Sequence, residues 1–158
     1  LPEKMNIECI ELLKNKLYVF DSTDNKYKKS NYSNSIIEEL PIIYREQGSG
    51  TRYVMEKYIQ SNNLSVLKKM ELTSNEAVKQ AVIAGFGCSI MPIIGLKNEM
   101  LNKELQIIPV KGFPIESTWN LIWLKDKNIS DVAKKYLEYL NKEKSTIIRE
   151  KFSWYEEY

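Results

Sequence analysis

The sequence predicts an α/β protein, and three observations carry that prediction. Short apolar runs alternate with longer amphipathic ones between Pro41 and Val110, the rhythm of strands followed by helices. Glycines stand where one kind of run gives way to the next, at Gly48, Gly50, Gly85, Gly87 and Gly112. The 158 residues are 43% hydrophobic and 28% charged. That is ordinary for a globular protein and suits one domain or two small lobes.

Taken in order, residues 16–21 (KLYVFD) read as a buried strand. Residues 22–34 are rich in Ser, Asn, Asp and Lys and read as an exposed connection, with Lys26, Lys28 and Lys29 solvated. Residues 41–44 (PIIY) are a strand. Residues 51–61 place Val54, Met55, Tyr58 and Ile59 at helical spacing. Residues 66–72 read as a strand and 75–84 as a helix with Ala77, Val78, Ala81 and Val82 on one face, ended by Gly85 and Gly87. A strand over 88–94, a short helix over 96–105 and a strand over 106–110 follow. The alternation predicts a mostly parallel sheet with helices on its faces. Residues 119–124 (WNLIWL) form a later buried strand. Ser130 and Asp131 open a last helix with Val132, Ala133, Tyr136, Leu137 and Leu140 on one stripe. The aromatic tail at 152–155 is expected to pack on the body of the protein.

Composition excludes several functions. With no histidine in the chain, Ser–His and Cys–His nucleophile pairs and the usual zinc and haem ligand sets are absent. No catalytic residues, metal ligands or cofactor are predicted. A net charge of +2 with mixed signs is too weak a bias for nucleic-acid binding by this stretch itself. Cys9 and Cys88 are expected to be reduced, buried thiols. The start at residues 1–4 reads as neither a secretion leader nor a span, and no run approaches the roughly 18 apolar residues a bilayer span needs. Cytoplasmic localisation without membrane association is the expectation.

One motif carries chemistry. Gly48-Ser49-Gly50-Thr51-Arg52 falls where a strand turns into a helix. The first N–H groups of a helix lack internal partners and sit at the positive end of its dipole. Glycines admit close approach, and the hydroxyls of Ser49 and Thr51 are donors. Arg52 in the first turn is unfavourable for the dipole unless an anion compensates it. These features suit a carboxylate, phosphate or sulfate. The same residues also read as a plain turn capped by Ser49 or Thr51. At the next helix, Thr73 with Glu76 three residues on reads as a capping box. Ser74 and Asn75 there either point into a cleft or serve only as caps.

The ordered set REQGSGTR (45–52), ELTSNEAVKQAVIAGFG (71–87), GFPI (112–115) and a strand built on Trp119 resembles the effector-binding domain of LysR-type transcriptional regulators, over residues 7–142. The likeness is greatest to the branch containing the Calvin-cycle regulators. It implies a fold like the type 2 periplasmic binding proteins, two α/β lobes joined by two crossover strands. Residues 22–112 would be a near-complete second lobe. Residues 1–21 and 113–158 would be crossover strands and a remnant of the first lobe. The resemblance places Ser49, Gly50, Thr51 and Arg52 at the ligand-facing loop, with Ser74 and Asn75 at a neighbouring helix start. The implied partner is a small anionic metabolite acting as effector. DNA would be bound only through an N-terminal winged helix-turn-helix outside this chain, in a homo-oligomer. An exported phosphate- or oxyanion-binding protein of the same fold is the other reading. An enzyme ranks below both, since no carboxylate pair has a recognisable spacing.

Overall fold

The computed structural model describes residues 6–158. The start read above as neither leader nor span lies outside the described residues. The chain forms two compact units, one of Lys16–Ser117 and one of the described residues up to Asn15 with Thr118–Tyr158. The elements are β1 (Ile7–Ser22), α1 (Ile36–Glu39), β2 (Pro41–Arg45), α2 (Gly50–Ser61), β3 (Leu67–Leu72), α3 (Asn75–Ile83), β4 (Ser89–Pro92), α4 (Lys97–Leu101), β5 (Leu105–Ile108), β6 (Ile115–Leu124) and α5 (Asp131–Phe152).

In the unit of Lys16–Ser117, β2 and β3 pair in parallel, from Pro41 opposite Leu67 to Arg45 opposite Leu72. β4 and β5 flank β1 on either side, with Val19 opposite both Ile90 and Ile108. A parallel bridge from Ile42 to Cys88 ties β2 to the start of β4. Within 41–110 the pairing is parallel, as predicted, in β2 with β3 and in the bridge from Ile42 to Cys88, whereas β1, which comes from before that stretch, runs antiparallel to both β4 and β5. An apolar run records that a strand is buried on both faces. It does not record which way the strand runs.

The core explains the apolar pattern. Leu17, Val19, Ile37, Ile42, Met55, Ile90 and Ile108 are sealed from solvent in one cluster. Each such side chain contributes about 1.5–3 kcal/mol relative to exposure. α2 turns Met55 and Ile59 inward with Val54 and Tyr58 half-buried, and α3 buries Val78 and Val82. The GFPI turn packs on α2. Phe113 lies 4.7 Å from the Tyr58 ring, and the Tyr58 hydroxyl donates to the Lys111 carbonyl.

Several boundaries differ from expectation. The strand expected over 88–94 stops at Pro92, and Ile93–Gly95 forms a 3-10 turn. The helix expected over 96–105 is only Lys97–Leu101, because Lys103 adopts φ 58°. The short helix α1 was not foreseen. In the exposed connection, Tyr27 and Tyr32 pack against the core. Cys88 is buried as expected, but Cys9 is exposed; both are free thiols. Lys79 is nearly buried and joins α3 to α4, its Nζ 2.7 Å from Glu76 and 2.6 Å from Glu99.

In the other unit, β6 pairs with β1. α5 is capped by Ser130, whose hydroxyl accepts from Ala133 N. The aromatic tail packs as expected: Tyr155 is buried and its hydroxyl donates to the Lys14 carbonyl at 2.7 Å. Trp119, Ile122, Leu124, Val132, Tyr136 and Tyr139 are exposed in this chain. No described helix is long and apolar enough to cross a membrane.

Candidate functional site

The loop between β2 and α2 is built as its residues dictate. Gly48 takes φ +88°, a left-handed conformation that glycine adopts without strain. Ser49 is the N-cap, with φ −66° and ψ 129°, and its hydroxyl accepts from Arg52 N at 3.5 Å. Tyr53 N donates to the Ser49 carbonyl. The N–H groups of Gly50 and Thr51 have no hydrogen-bond partner among the described residues, as expected of a first helical turn. They stand at the positive end of a 12-residue helix.

An open depression of about 480 Å³ lies against this loop, bounded by Gln47, Ser49, Gly50, Arg52, Tyr53 and Glu56. A side chain at Gly50 would meet nothing within 4 Å. Thr51 does not line the depression. Tyr53 is well exposed beside it.

Arg52 does not wait for an outside anion, which corrects the dipole argument made from the sequence. Its Nε donates to Glu56 Oε1 at 2.6 Å, and its Nη1 donates to Glu71 Oε2 at 2.8 Å and to the Arg45 carbonyl at 3.1 Å. The guanidinium also lies 5.5 Å from the centroid of the Tyr44 ring. These contacts brace α2 against β2 and β3. The hydrogen bond that Arg52 donates to the Glu56 carboxylate raises the Arg52 pKa. Hydrogen bonds from Lys68 first, and then from Arg52, hold the Glu71 carboxyl below its usual range.

The second predicted cluster lies at the start of α3. Ser74 is the N-cap, its hydroxyl accepting from Ala77 N at 3.0 Å. The cap therefore falls one residue later than the Thr73 expected from the sequence, and with Ala77 at the third helical position no capping box forms. Glu76 turns instead to Lys79 and Gln80, because its reach to the chain start is lost when the cap is Ser74. Ser74→Ala should cost about 0.5–2 kcal/mol and Thr73→Ala no more than about 0.5 kcal/mol. Urea unfolding of the two variants measures the difference, and equal losses would contradict this cap.

The two clusters meet through one residue that the sequence did not flag. Arg45, at the end of β2, donates from Nη1 to Asn75 Oδ1 and grips Glu46 through Nε and Nη2 at 2.7 and 2.8 Å. Asn75 thus joins the loop network but borders a separate small hollow with Glu76, Lys79 and Pro92. Glu71 was missed as well. A signal for it existed: β3 is parallel to β2, so its end lies beside the end of β2 and the start of α2. Among the described residues, no group of His, Cys, Asp or Glu could hold a metal ion.

An α/β unit with an open hollow of mixed polar and apolar lining against a helix start is a fold that can hold a small ligand. The chain belongs to the LysR substrate binding domain family, whose model matches residues 2–145. It is 39% identical over 142 residues to the transcriptional activator CmpR of Synechocystis sp., covering 88% of this chain and 46% of CmpR. It is 34% identical over 140 residues to a RuBisCO operon transcriptional regulator of Acidithiobacillus ferrooxidans, covering 88% of this chain and 45% of the relative. The chain therefore spans about half the length of the relatives it matches. Among solved structures, the regulatory domain of CcmR from Synechocystis, in complex with 2-PG, superposes with a TM-score of 0.81 at 33% identity. That match covers 89% of this chain and 68% of that one. The effector-binding domain of QuiR, in complex with shikimate, gives 0.78 at 18% identity over 92% and 69%, a likeness of fold. The α/β fold class that the resemblance implied, that of the LysR regulatory domains, is thus established, and the effector-binding reading is favoured over the exported solute-binding one.

Proposed function

We propose that this chain senses a small anionic metabolite for a DNA-binding transcriptional regulator, with Ser49, Gly50, Thr51 and Arg52 meeting the ligand. The observation that carries the reading is the unspent N–H of Gly50, which lines an open hollow of about 480 Å³, with the unspent N–H of Thr51 next to it in the same helical turn. Two N–H donors at the end of a helix dipole favour an anion over a neutral ligand. Ser74 and Asn75 act on this site through the Arg45–Asn75 hydrogen bond, which holds the start of α3 beside the loop. Ligand type in the CcmR structure, 2-PG, agrees with an anion. In the full-length protein the effector signal passes to a winged helix-turn-helix within a cytoplasmic homo-oligomer, and the protein is not an enzyme.

Gly50→Pro is the sharpest test. Gly50 is the first helical residue, where proline is tolerated, and Ser49 already has the extended backbone that precedes proline. The substitution removes one N–H and little else. In a ¹⁵N-labelled sample titrated with 2-PG, we expect affinity to fall about tenfold or more, the usual worth of a hydrogen bond to a charged group, with thermal stability kept. Unchanged affinity would remove this loop from the site.

A further inference from the structure

Arg52 spends its donors unevenly. A guanidinium carries five N–H groups. Both on Nη1 are taken, by Glu71 and by the Arg45 carbonyl, and these hold the inner edge of the fork. On the outer edge Nε is taken by Glu56, while the two N–H groups of Nη2 have no partner among the described residues. Arg52 is 12% exposed at its side chain and Glu56 is 40% exposed, and both line the hollow at the start of α2.

Magnitudes favour an exchange at that outer edge. Glu56 binds with one oxygen, as an i,i+4 partner on the same helix. With Glu56 at the surface, an i,i+4 pair of this kind shifts an equilibrium only about twofold. A carboxylate or phosphate that spans Nε and Nη2 makes two parallel charge-assisted bonds, the stronger arrangement. Glu71 stays in place during such an exchange, so the guanidinium need not move.

We infer that Glu56 is a built-in stand-in for the effector: a ligand carrying a two-oxygen anionic group displaces Glu56 and takes Nε and Nη2 of Arg52. This rests on the reading of the Ser49 loop as the effector site. The retained charge of Glu56 then sets how much ligand is needed, since the carboxylate competes for the same edge. Glu56 is a specificity residue of the site, and Glu71 a positioning residue.

Titration of the ¹⁵N-labelled chain with inorganic phosphate and, separately, with acetate tests the exchange, with chloride as control at matched ionic strength. The resonances read are the amides of Gly50 and Thr51 and the Nε–H of Arg52. All three are expected to move together and saturate. Glu56→Gln should tighten binding about two- to fivefold, whereas Glu71→Gln, which loosens the anchor, should weaken it. A lower saturating concentration for phosphate assigns a phosphoryl group, and the reverse order a carboxylate; either supports the exchange. If Glu56→Gln binds no tighter, or both variants tighten equally, the inference fails while the loop reading stands. The same holds if the two amides move without the Nε–H. If nothing moves in either the wild type or Glu56→Gln, or if chloride gives the same shifts, the loop reading falls with it.

Discussion

Gly87→Ala is expected to destabilise the protein by about 2–6 kcal/mol, the largest effect of any alanine substitution at a glycine here. The backbone at Gly87 has φ +155°, and a Cβ there would overlap the Pro41 carbonyl oxygen. That oxygen is already engaged, accepting from Cys88 N at 2.9 Å, while Ile43 N donates to the Cys88 carbonyl at 2.8 Å. These two bonds form the link from β2 to the start of β4. A side chain at Gly87 must push β2 away, which adds about 1–3 kcal/mol of overpacking to about 1–3 kcal/mol of backbone strain. For a domain whose whole stability is about 5–15 kcal/mol, such a loss is severe. At about 2–4 °C per kcal/mol for a chain of this size, the melting temperature should fall by about 4–24 °C. Gly95→Ala is the control, since a Cβ there meets nothing within 4 Å and its φ is ordinary. It should leave the melting temperature within a few degrees. A Gly87→Ala protein that melts with the wild type would mean that β2 and β4 are not locked as described.

How far the sequence discloses this arrangement depends on the kind of information involved. Period and punctuation are local, so α2, α3, β2, β3 and the start of α5 were legible from Val54, Met55, Val78, Val82 and the Ser130 cap. Strand direction is not local. Leu17-Tyr18-Val19-Phe20 announces a buried strand, yet nothing in those residues says that it runs against both neighbours. The loop at Ser49 was legible as a helix start because glycine, serine and an orphaned first turn go together. The state of Arg52 was not, because one of its two carboxylates, Glu71, comes from a strand 19 residues on. A cap is likewise decided by one hydrogen bond, which is why Ser74 displaces Thr73 although both residues suit the role.

Tyr27→Phe should cost about 1.5–3 kcal/mol, although Tyr27 sits in a connection that reads as solvated. Asp21 is buried at 1% exposure, and a buried carboxylate is tolerable only when donors surround it. Three do so: Ser22 N on Oδ1 at 2.8 Å, and Asn25 Nδ2 at 2.8 Å with the Tyr27 hydroxyl on Oδ2. Phenylalanine keeps the edge-on contact with Tyr32, 5.9 Å between centroids, and removes the hydroxyl that donates to Asp21 and lies 3.9 Å from the Cys88 Sγ. The loss therefore reports the hydroxyl and not the ring. A double-mutant cycle with Asp21→Asn should give a coupling of about 0.5–3 kcal/mol, and strictly additive losses would show that the two side chains do not stabilise one another. The same cluster predicts an alkaline limit. Burial raises the Tyr27 phenol, and it lifts the Cys88 thiol, 3.9 Å from that hydroxyl, from 9.0 to about 12. Both groups hold their protons more tightly folded than unfolded, so their contribution is complete below pH 9.0 and is lost as the pH rises towards 12. Urea unfolding between pH 8 and pH 11 should therefore show stability falling with pH, and a flat profile would place Cys88 and Tyr27 in water.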